Sequence, residues 1–285
     1  MKLVSVLLPC YNSERYISEA IQSILDQTYT HFELLILDDG STDNTKSIIT
    51  GFQDKRVILL TENENKGIVY QLNKGIEHAK GEFIARMDAD DVSFPERFQK
   101  QVEFLENPKN FKIDVLGTDA VSIGSSSKSI IHQNYRSEQI SFMLNFKCPI
   151  LHPTVLIRRR VFDQGKRYPQ DYVFAEDYAL WRLIDKGDNL AIIPNILLSY
   201  RIHDNQTNKS DERFQIQMEA AIRVAFMRPV SVRDQIFLSD KIKRNFFQNS
   251  AVKHIKLNLI ERFYLKIIKK YLNIKYHQLN ELIKQ

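Results

Sequence analysis

The chain has 285 residues, 43% apolar and 26% charged, which at about 150 residues per domain suits two domains or one large domain with an appendage, long enough to bury a core without cross-links. Nine glycines and eight prolines exclude a collagen-like or low-complexity chain, and two cysteines, Cys10 and Cys148, exclude a disulfide framework and suit a reducing, cytoplasmic compartment. The net charge of +5 is uneven: residues 241–285 hold eleven Lys and Arg against two Asp and Glu, a surplus of nine that leaves the first 240 residues at −4 and points to an anionic surface as the tail's partner.

In chain order, the apolar run at 3–8 predicts a first strand. It is too short for a signal peptide and far below the roughly 20 apolar residues of a membrane span, a length no later stretch reaches without charges. Ser13 is placed to cap a helix with Ile17, Ala20, Ile21, Ile24 and Leu25 on one face. Residues 32–37 read as a second strand, Thr42 or Asp43 opens a second helix with Ile48, Ile49 and Phe52, and residues 57–60 read as a third strand. A third helix at 68–79 closes before Gly81, followed by a strand at 83–87 and a helix at 95–105. Strands separated by single helices need crossover connections, which predicts an α/β fold: a Rossmann-like, mostly parallel central sheet flanked by helices. Beyond it the pattern predicts strands at 113–121, 154–157 and 190–200, a helix at 176–184, and helices from about 211 onward. Between 255 and 274, Ile260, Phe263, Ile267 and Tyr271 recur among Arg262, Lys266, Lys269 and Lys270 as a basic amphipathic helix.

Ligands of open parallel sheets sit beyond the carboxyl ends of the strands. Those ends read Pro9-Cys10-Tyr11-Asn12, Asp38-Asp39-Gly40-Ser41 and Asp88-Ala89-Asp90-Asp91. Five carboxylates at one rim repel one another, so a cation or a set of donors belongs among them. Asp88 and Asp90 suit a hard divalent ion, Mg²⁺ or Mn²⁺, that keeps positions open for phosphate oxygens; alone, the pair would also suit a solvated acidic loop. Tyr11 offers an aromatic face to a base and Asp39 an acceptor to a base or ribose donor, although Asp-Gly-Ser is also ordinary turn chemistry. Neither G-x-G-x-x-G nor G-x-x-x-x-G-K-[ST] occurs, which disfavours a dinucleotide enzyme or a P-loop ATPase, so a diphosphate bound here needs a metal.

Together, residues 4–12, Asp38-Asp39-Gly40-Ser41 with Asp43, Asn65-Lys66-Gly67, Asn73, Gly81 and Met87-Asp88-Ala89-Asp90-Asp91 resemble the nucleotide-binding half of family-two glycosyltransferases of the GT-A fold. Glu176-Asp177-Tyr178-Ala179-Leu180-Trp181 resembles that family's Glu-Asp motif, and Tyr200-Arg201-Ile202-His203 the segment closing the catalytic domain in many bacterial members. The likeness spans 2–207. It implies a catalytic domain at 1–207, with a nucleotide-binding half at 1–110 and an acceptor half at 111–207, before a basic C-terminal helical region at 208–285 that matches no motif.

The resemblance implies an inverting transfer of a sugar from a nucleotide diphosphate, usually UDP, to an acceptor hydroxyl, with capsule, lipopolysaccharide or another bacterial surface polysaccharide as the product. Carried over by position, Tyr11 stacks on the base, Asp39 accepts from its imide, Asp88 meets ribose or metal, and Asp90 is the direct Mn²⁺ or Mg²⁺ ligand. Pro9 and Asn12 shape the base pocket, with Asp38, Lys66, Gly67 and Ala89 beside the nucleotide-sugar. Asp177 is the catalytic base and Glu176 positions donor or acceptor. Inversion needs one base opposite the leaving group, and no residue is nominated as the second carboxylate of a covalent route. An acidic first turn is also what a helix dipole favours. His203 is a candidate for the metal or a diphosphate oxygen, and His152 and Trp181 for the acceptor cleft, each with packing as the alternative.

The basic helix suits an anionic membrane face, which would make the protein peripheral at the inner side of the cell membrane and bring it to a lipid-linked glycan acceptor; packing on the protein or a partner helix is the other reading, and nucleic acid is not expected. Without the several membrane helices of a processive synthase, addition of one sugar is favoured. Two rivals stay open. A sugar nucleotidyltransferase needs a Gly-rich basic loop where this chain has Pro9-Cys10-Tyr11-Asn12-Ser13-Glu14, and a non-catalytic nucleotide-sugar binder would recruit partners through the tail.

Overall fold

The computed structural model describes residues 1–124, 129–131, 135–144, 148–172 and 174–203. The expected basic helix and the boundary near 207 lie outside the described residues. Three strands read as unbroken apolar runs because both their faces are covered: β1 (Val4–Cys10), β2 (Phe32–Asp38) and β4 (Phe83–Arg86) are buried along their whole length. β3 (Val57–Thr61) is only half-buried and takes the edge. The four pair in parallel in the order β3-β2-β1-β4, with Cys10 opposite Asp38 at the carboxyl ends.

Side chains alternate between the two faces of this sheet. Val4, Val6, Leu8, Leu34 and Ile36 pack with α1 (Ile17–Leu25), α2 (Thr45–Thr50) and α4 (Arg97–Glu106). Leu7, Leu35, Leu37 and Ile84 pack with α3 (Ile68–His78), α6 (Arg160–Asp163) and α7 (Glu176–Ile184). No helix among the described residues is long and apolar enough to cross a membrane.

Past β4 the sheet is mixed. Its order continues through β8 (Leu156–Arg158), β6 (Val115–Ile123), β9 (Leu190–Arg201) and β5 (Val92–Ser93), with β7 (Ile130–Ile131) on β6. β6 and β9 are parallel, whereas β8 runs antiparallel to β4 and β6, and β5 antiparallel to β9. Parallel pairing is therefore complete only among the first four strands; β8 reverses because the turn at His152–Thr154 feeds it back along β4. The register of β6 on β9 slips around Asp119, where Pro194 and Asn195 find no partner. Proline cannot donate to a ladder, and the bulge it occupies bends the strand. Beyond the bulge, β9 reaches the loop that follows β4.

At the amino-terminal ends of the strands, polar side chains are fully engaged. Ser5 Oγ donates to Glu33 Oε1 (2.5 Å) and accepts from Gly81 N (2.8 Å), while Lys80 N donates to the same Glu33 oxygen (2.7 Å). Asp114, just before β6, accepts from Arg160 Nε (2.6 Å), Asn189 Nδ2 (2.8 Å) and Lys186 Nζ (3.2 Å).

Candidate active site

The loops after β1 and β2 are laced together. Asn12 takes a left-handed φ of 47°, which asparagine tolerates, donates its N–H to Ser41 Oγ (3.0 Å) and accepts from Thr42 N through Oδ1 (2.9 Å). Ser13 does not cap α1 through its side chain: Ser13 N donates to Thr45 Oγ1 (2.7 Å), its hydroxyl donates to Tyr11 O (3.2 Å), and only its carbonyl receives the N–H groups of Tyr16 and Ile17. Asp43 accepts from Thr45 N and from Glu14 N, which ties the start of α2 to the loop after β1. Tyr11, between these loop contacts, is 46% exposed.

Asp38 and Asp39 are both buried. Asp38 accepts from Ser41 N (3.2 Å) and faces the Cys10 thiol. Asp39 accepts from Lys66 N (2.8 Å), Gly67 N (2.8 Å) and Gln71 Nε2 (2.6 Å). A carboxylate has about four acceptor positions, so Asp39 spends most of its capacity holding the loop that opens α3. Glycine is needed twice here: Gly67 has φ +87°, and a Cβ at Gly40 (φ +73°) would stand 2.9 Å from the Glu64 backbone. Lys66 is tied to Glu62 (2.9 Å), with Lys74 on the other Glu62 oxygen, and the two ammonium groups pull that carboxyl down to about 2.

Asp88, Asp90 and Asp91 each offer an oxygen, all within 4.8 Å of one another. Asp88 pairs with Arg86 and Asp90 Oδ2 meets His203 Nε2 at 2.8 Å. Asp91 is buried; one oxygen accepts from Arg201 N (2.8 Å) and the other has no hydrogen-bond partner. Arg201 Nε also holds the Asp90 carbonyl (2.6 Å), and its guanidinium lies 4.5 Å over the Tyr16 ring. The end of β9 thus clasps the acidic loop from above. Three hard oxygen donors, one of them orphaned in a buried position, fit a divalent cation of the Mg²⁺ or Mn²⁺ kind. Burial raises both the Asp88 and Asp91 carboxyls above the ordinary range; at Asp91 the Asp88 and Asp90 charges add to it, whereas at Asp88 the Arg86 guanidinium opposes it.

Glu176 and Asp177 open α7, with Ala175 between them and Phe174, whose φ of 66° is rare for a bulky residue and marks local strain of about 1–3 kcal/mol. Asp177 is half-buried; it accepts from Tyr178 N (2.6 Å) and from the Cys148 thiol (3.5 Å). Burial raises Asp177, with Arg86 and those donors opposing. Glu176 is buried with Oε2 unpartnered, and burial plus the adjacent Asp177 charge push it up to about 7. The Asp177 charge also acts on Asp88, so two motifs 89 positions apart share one electrostatic site.

The two candidates for the acceptor side, Trp181 and His152, lie in packed surroundings. Trp181 is fully buried, one turn along α7 from Asp177, and His152 is 7% exposed, bonded to Tyr168 OH (2.8 Å) and edge-on to Trp181. Burial, then Arg86, holds His152 well below its ordinary value and therefore neutral. Both are packed among buried side chains of the described residues. Two buried arginines, in contrast, escaped the sequence reading. Arg86 ends an otherwise apolar strand, and Arg97 Nη2 grips the Arg86 carbonyl at 2.8 Å. A cation in a buried strand position is the signal that exposes such a residue, because it is rarely placed there without a partner.

The sequence profile of glycosyl transferase family 2 matches residues 5–165, which includes the rim of β1, β2 and β4 and stops short of Glu176. The chain is 32% identical over 214 residues to the Escherichia coli UDP-Glc:alpha-D-GlcNAc-diphosphoundecaprenol beta-1,3-glucosyltransferase WfgD, covering 74% of this chain and 81% of that one. In structure it is similar to S. aureus TarS 1–349 in complex with UDP-GlcNAc (TM-score 0.67, 21% identity, 93% of this chain and 78% of that one), although it spans 47% of a longer TarS chain. It is also similar to the mannosyltransferase PcManGT of Pyrobaculum calidifontis in complex with GDP-Man and Mn²⁺ (TM-score 0.55, 17% identity, 94% and 84%). The order and placement of the rim motifs and the match over more than half of the chain lead to one conclusion: this protein belongs to glycosyl transferase family 2 and is a glycosyltransferase of the GT-A fold.

Proposed function

We propose that the protein transfers one sugar, with inversion, from a UDP-sugar to a hydroxyl of a bacterial surface glycan in a divalent-metal-dependent reaction. The observation that carries this reading is the shared electrostatic site: the Asp88-Asp90-Asp91 loop and the Glu176–Asp177 pair act on each other's charge across the end of β4. WfgD, whose name states a UDP-glucose donor and a lipid diphosphate-linked acceptor, supports UDP and a lipid-linked glycan, and TarS with UDP-GlcNAc supports the same nucleotide.

In this reading Tyr11 stacks on the uracil, Asp39 holds the loop under it and gives its remaining acceptor position to the imide, and Asp88 lies beside the ribose. Asp38, Lys66 and Ala89 line the same nucleotide side. Asp90 and Asp88, with His203 next to Asp90, hold the cation; bound there, it would neutralise the charge that develops on the leaving diphosphate. Asp177 accepts the proton of the acceptor hydroxyl as that oxygen attacks. Its raised carboxyl brings it nearer to neutral pH, which favours a general base. Glu176, raised to about 7, stays partly protonated and positions a sugar hydroxyl. The excess of Lys and Arg in 241–285 supports an anionic membrane face as the place of work.

Thermal shift and nucleotide release across UDP-, GDP- and dTDP-sugars, with Mn²⁺ or with chelator, test the proposal. Stabilisation and UDP release that need the cation, with one UDP-sugar leading, are expected. Preference for another nucleotide, or equal activity in chelator, contradicts it.

A further inference from the structure

Arg86 is out of character with its strand. The other three residues of β4 are Phe83, Ile84 and Ala85, all buried, and Arg86 itself is only 4% exposed. Its backbone is fixed on both sides: Arg86 N donates to Val155 O (3.2 Å) and Arg86 O accepts from Arg97 Nη2 (2.8 Å). Its guanidinium forms an ion pair with Asp88 through Nη1, without hydrogen-bond geometry, and its Nε has no hydrogen-bond partner either. A guanidinium stays charged even when buried, so a full positive charge stands against the Asp88 carboxylate.

We infer that Arg86 is a positioning residue, a counter-ion built into the end of β4 that holds Asp88 when no divalent cation is present. The inference rests on the reading of Asp88 and Asp90 as metal ligands. Three crowded carboxylates, Asp88, Asp90 and Asp91, repel and resist burial without a cation, so a resident guanidinium lets the site stay folded before metal and donor arrive. Arginine suits this better than lysine because it stays charged when buried and presents a planar fork of donors to a carboxylate. The arrangement has a cost: a divalent cation that binds Asp88 must do so against the guanidinium.

A purely structural strut and a counter-ion therefore predict opposite signs. Loss of a strut loosens the site and weakens cation binding. Loss of a counter-ion leaves the carboxylates more negative and tightens it, by about tenfold or more for a unit charge this close. The test is Mn²⁺ titration of the full-length protein, read from the electron paramagnetic resonance signal of free Mn²⁺, with thermal melting alongside. Arg86→Met is expected to bind Mn²⁺ at least about tenfold tighter than wild type, to melt lower without the cation, and to gain more on its addition. Arg86→Lys, which keeps the charge, should bind within about threefold of wild type. If Arg86→Met does not fold, Arg86→Gln serves as the neutral variant.

Neutral variants that bind Mn²⁺ equally or more weakly overturn the counter-ion role, as does Arg86→Lys binding as tightly as they do. Asp90→Asn separates the metal site from the counter-ion. If it binds Mn²⁺ like wild type, the metal-site reading fails and the inference goes with it. If it loses binding while Arg86→Met is unchanged, only the inference fails.

Discussion

The two ends of the sheet treat buried carboxylates in opposite ways. Asp114, at the amino-terminal end, and Asp91, at the carboxyl end, are 2% and 1% exposed. Burial pushes both up. At Asp114 the bonds from Asn189, Arg160 and Lys186 more than compensate, and the carboxyl ends below its ordinary value. At Asp91 the charges of Asp88 and Asp90 add to burial, the Arg201 N–H and the Arg86 charge offset them only in part, and one oxygen is left without a hydrogen-bond partner. Asp114 adds to the stability of the folded chain, while Asp91, Asp88, Glu176 and Asp177 are carried at its expense. A fold keeps such groups where they serve a ligand, and the strained Phe174 beside Glu176 falls at the same end.

The comparison can be broken most severely at Asp177. Asp177→Asn should lower sugar transfer about a thousandfold, measured as UDP release from a UDP-sugar, within the range for loss of a general base. Next in size is the cation: Mn²⁺ at a hundredfold excess over its dissociation constant should stabilise wild type by about 2.7 kcal/mol in thermal melts, and Asp90→Asn should abolish the gain. At the other end, Asp114→Asn should cost about 2 kcal/mol in denaturant unfolding and leave turnover unchanged, because it strips charge-assisted bonds far from the rim.

The last effect is in pH, and its sign differs between the two ends. Glu176 moves from an ordinary 4.5 to about 7 in the folded state. Between those values the native chain binds more protons than the unfolded one, so this group makes stability fall as pH rises. Glu176→Gln should flatten melting temperature against pH across that window. Asp114 is depressed below its ordinary 3.8, so its contribution is present above that value and is lost as pH falls through the lower folded value. Asp114→Asn should remove that acid-side loss and leave the slope near neutrality untouched.

Much of this was legible in the sequence where one interaction dominates. The doubly covered strands β1, β2 and β4 appear as apolar runs, and α7 begins and ends where the acidic start and apolar spacing place it. The acidic rim follows from strand ends and composition alone. Other features depend on partners distant in the chain. β5 has two residues and exists only because β9 passes beside it. Ser13 has the right identity for a cap, yet Thr45 and Tyr11 claim its polar groups first. Trp181 and His152 carry chemistry that suits a site, but their spacing on the elements turns them into the core. Arg86 was visible as a charge in an apolar strand, and only the fold names Asp88 as its immediate partner.

The most direct test of this division is to make Asp177→Asn and Asp114→Asn side by side, and to record melting temperature and UDP release from UDP-glucose and UDP-N-acetylglucosamine for each. The account predicts a crossed result: Asp177→Asn melts at or above wild type and loses transfer, whereas Asp114→Asn melts lower and keeps it. Near-normal transfer by Asp177→Asn, together with a melting loss equal to that of Asp114→Asn, would show that Asp177 is a structural carboxylate like Asp114 and that the base lies elsewhere.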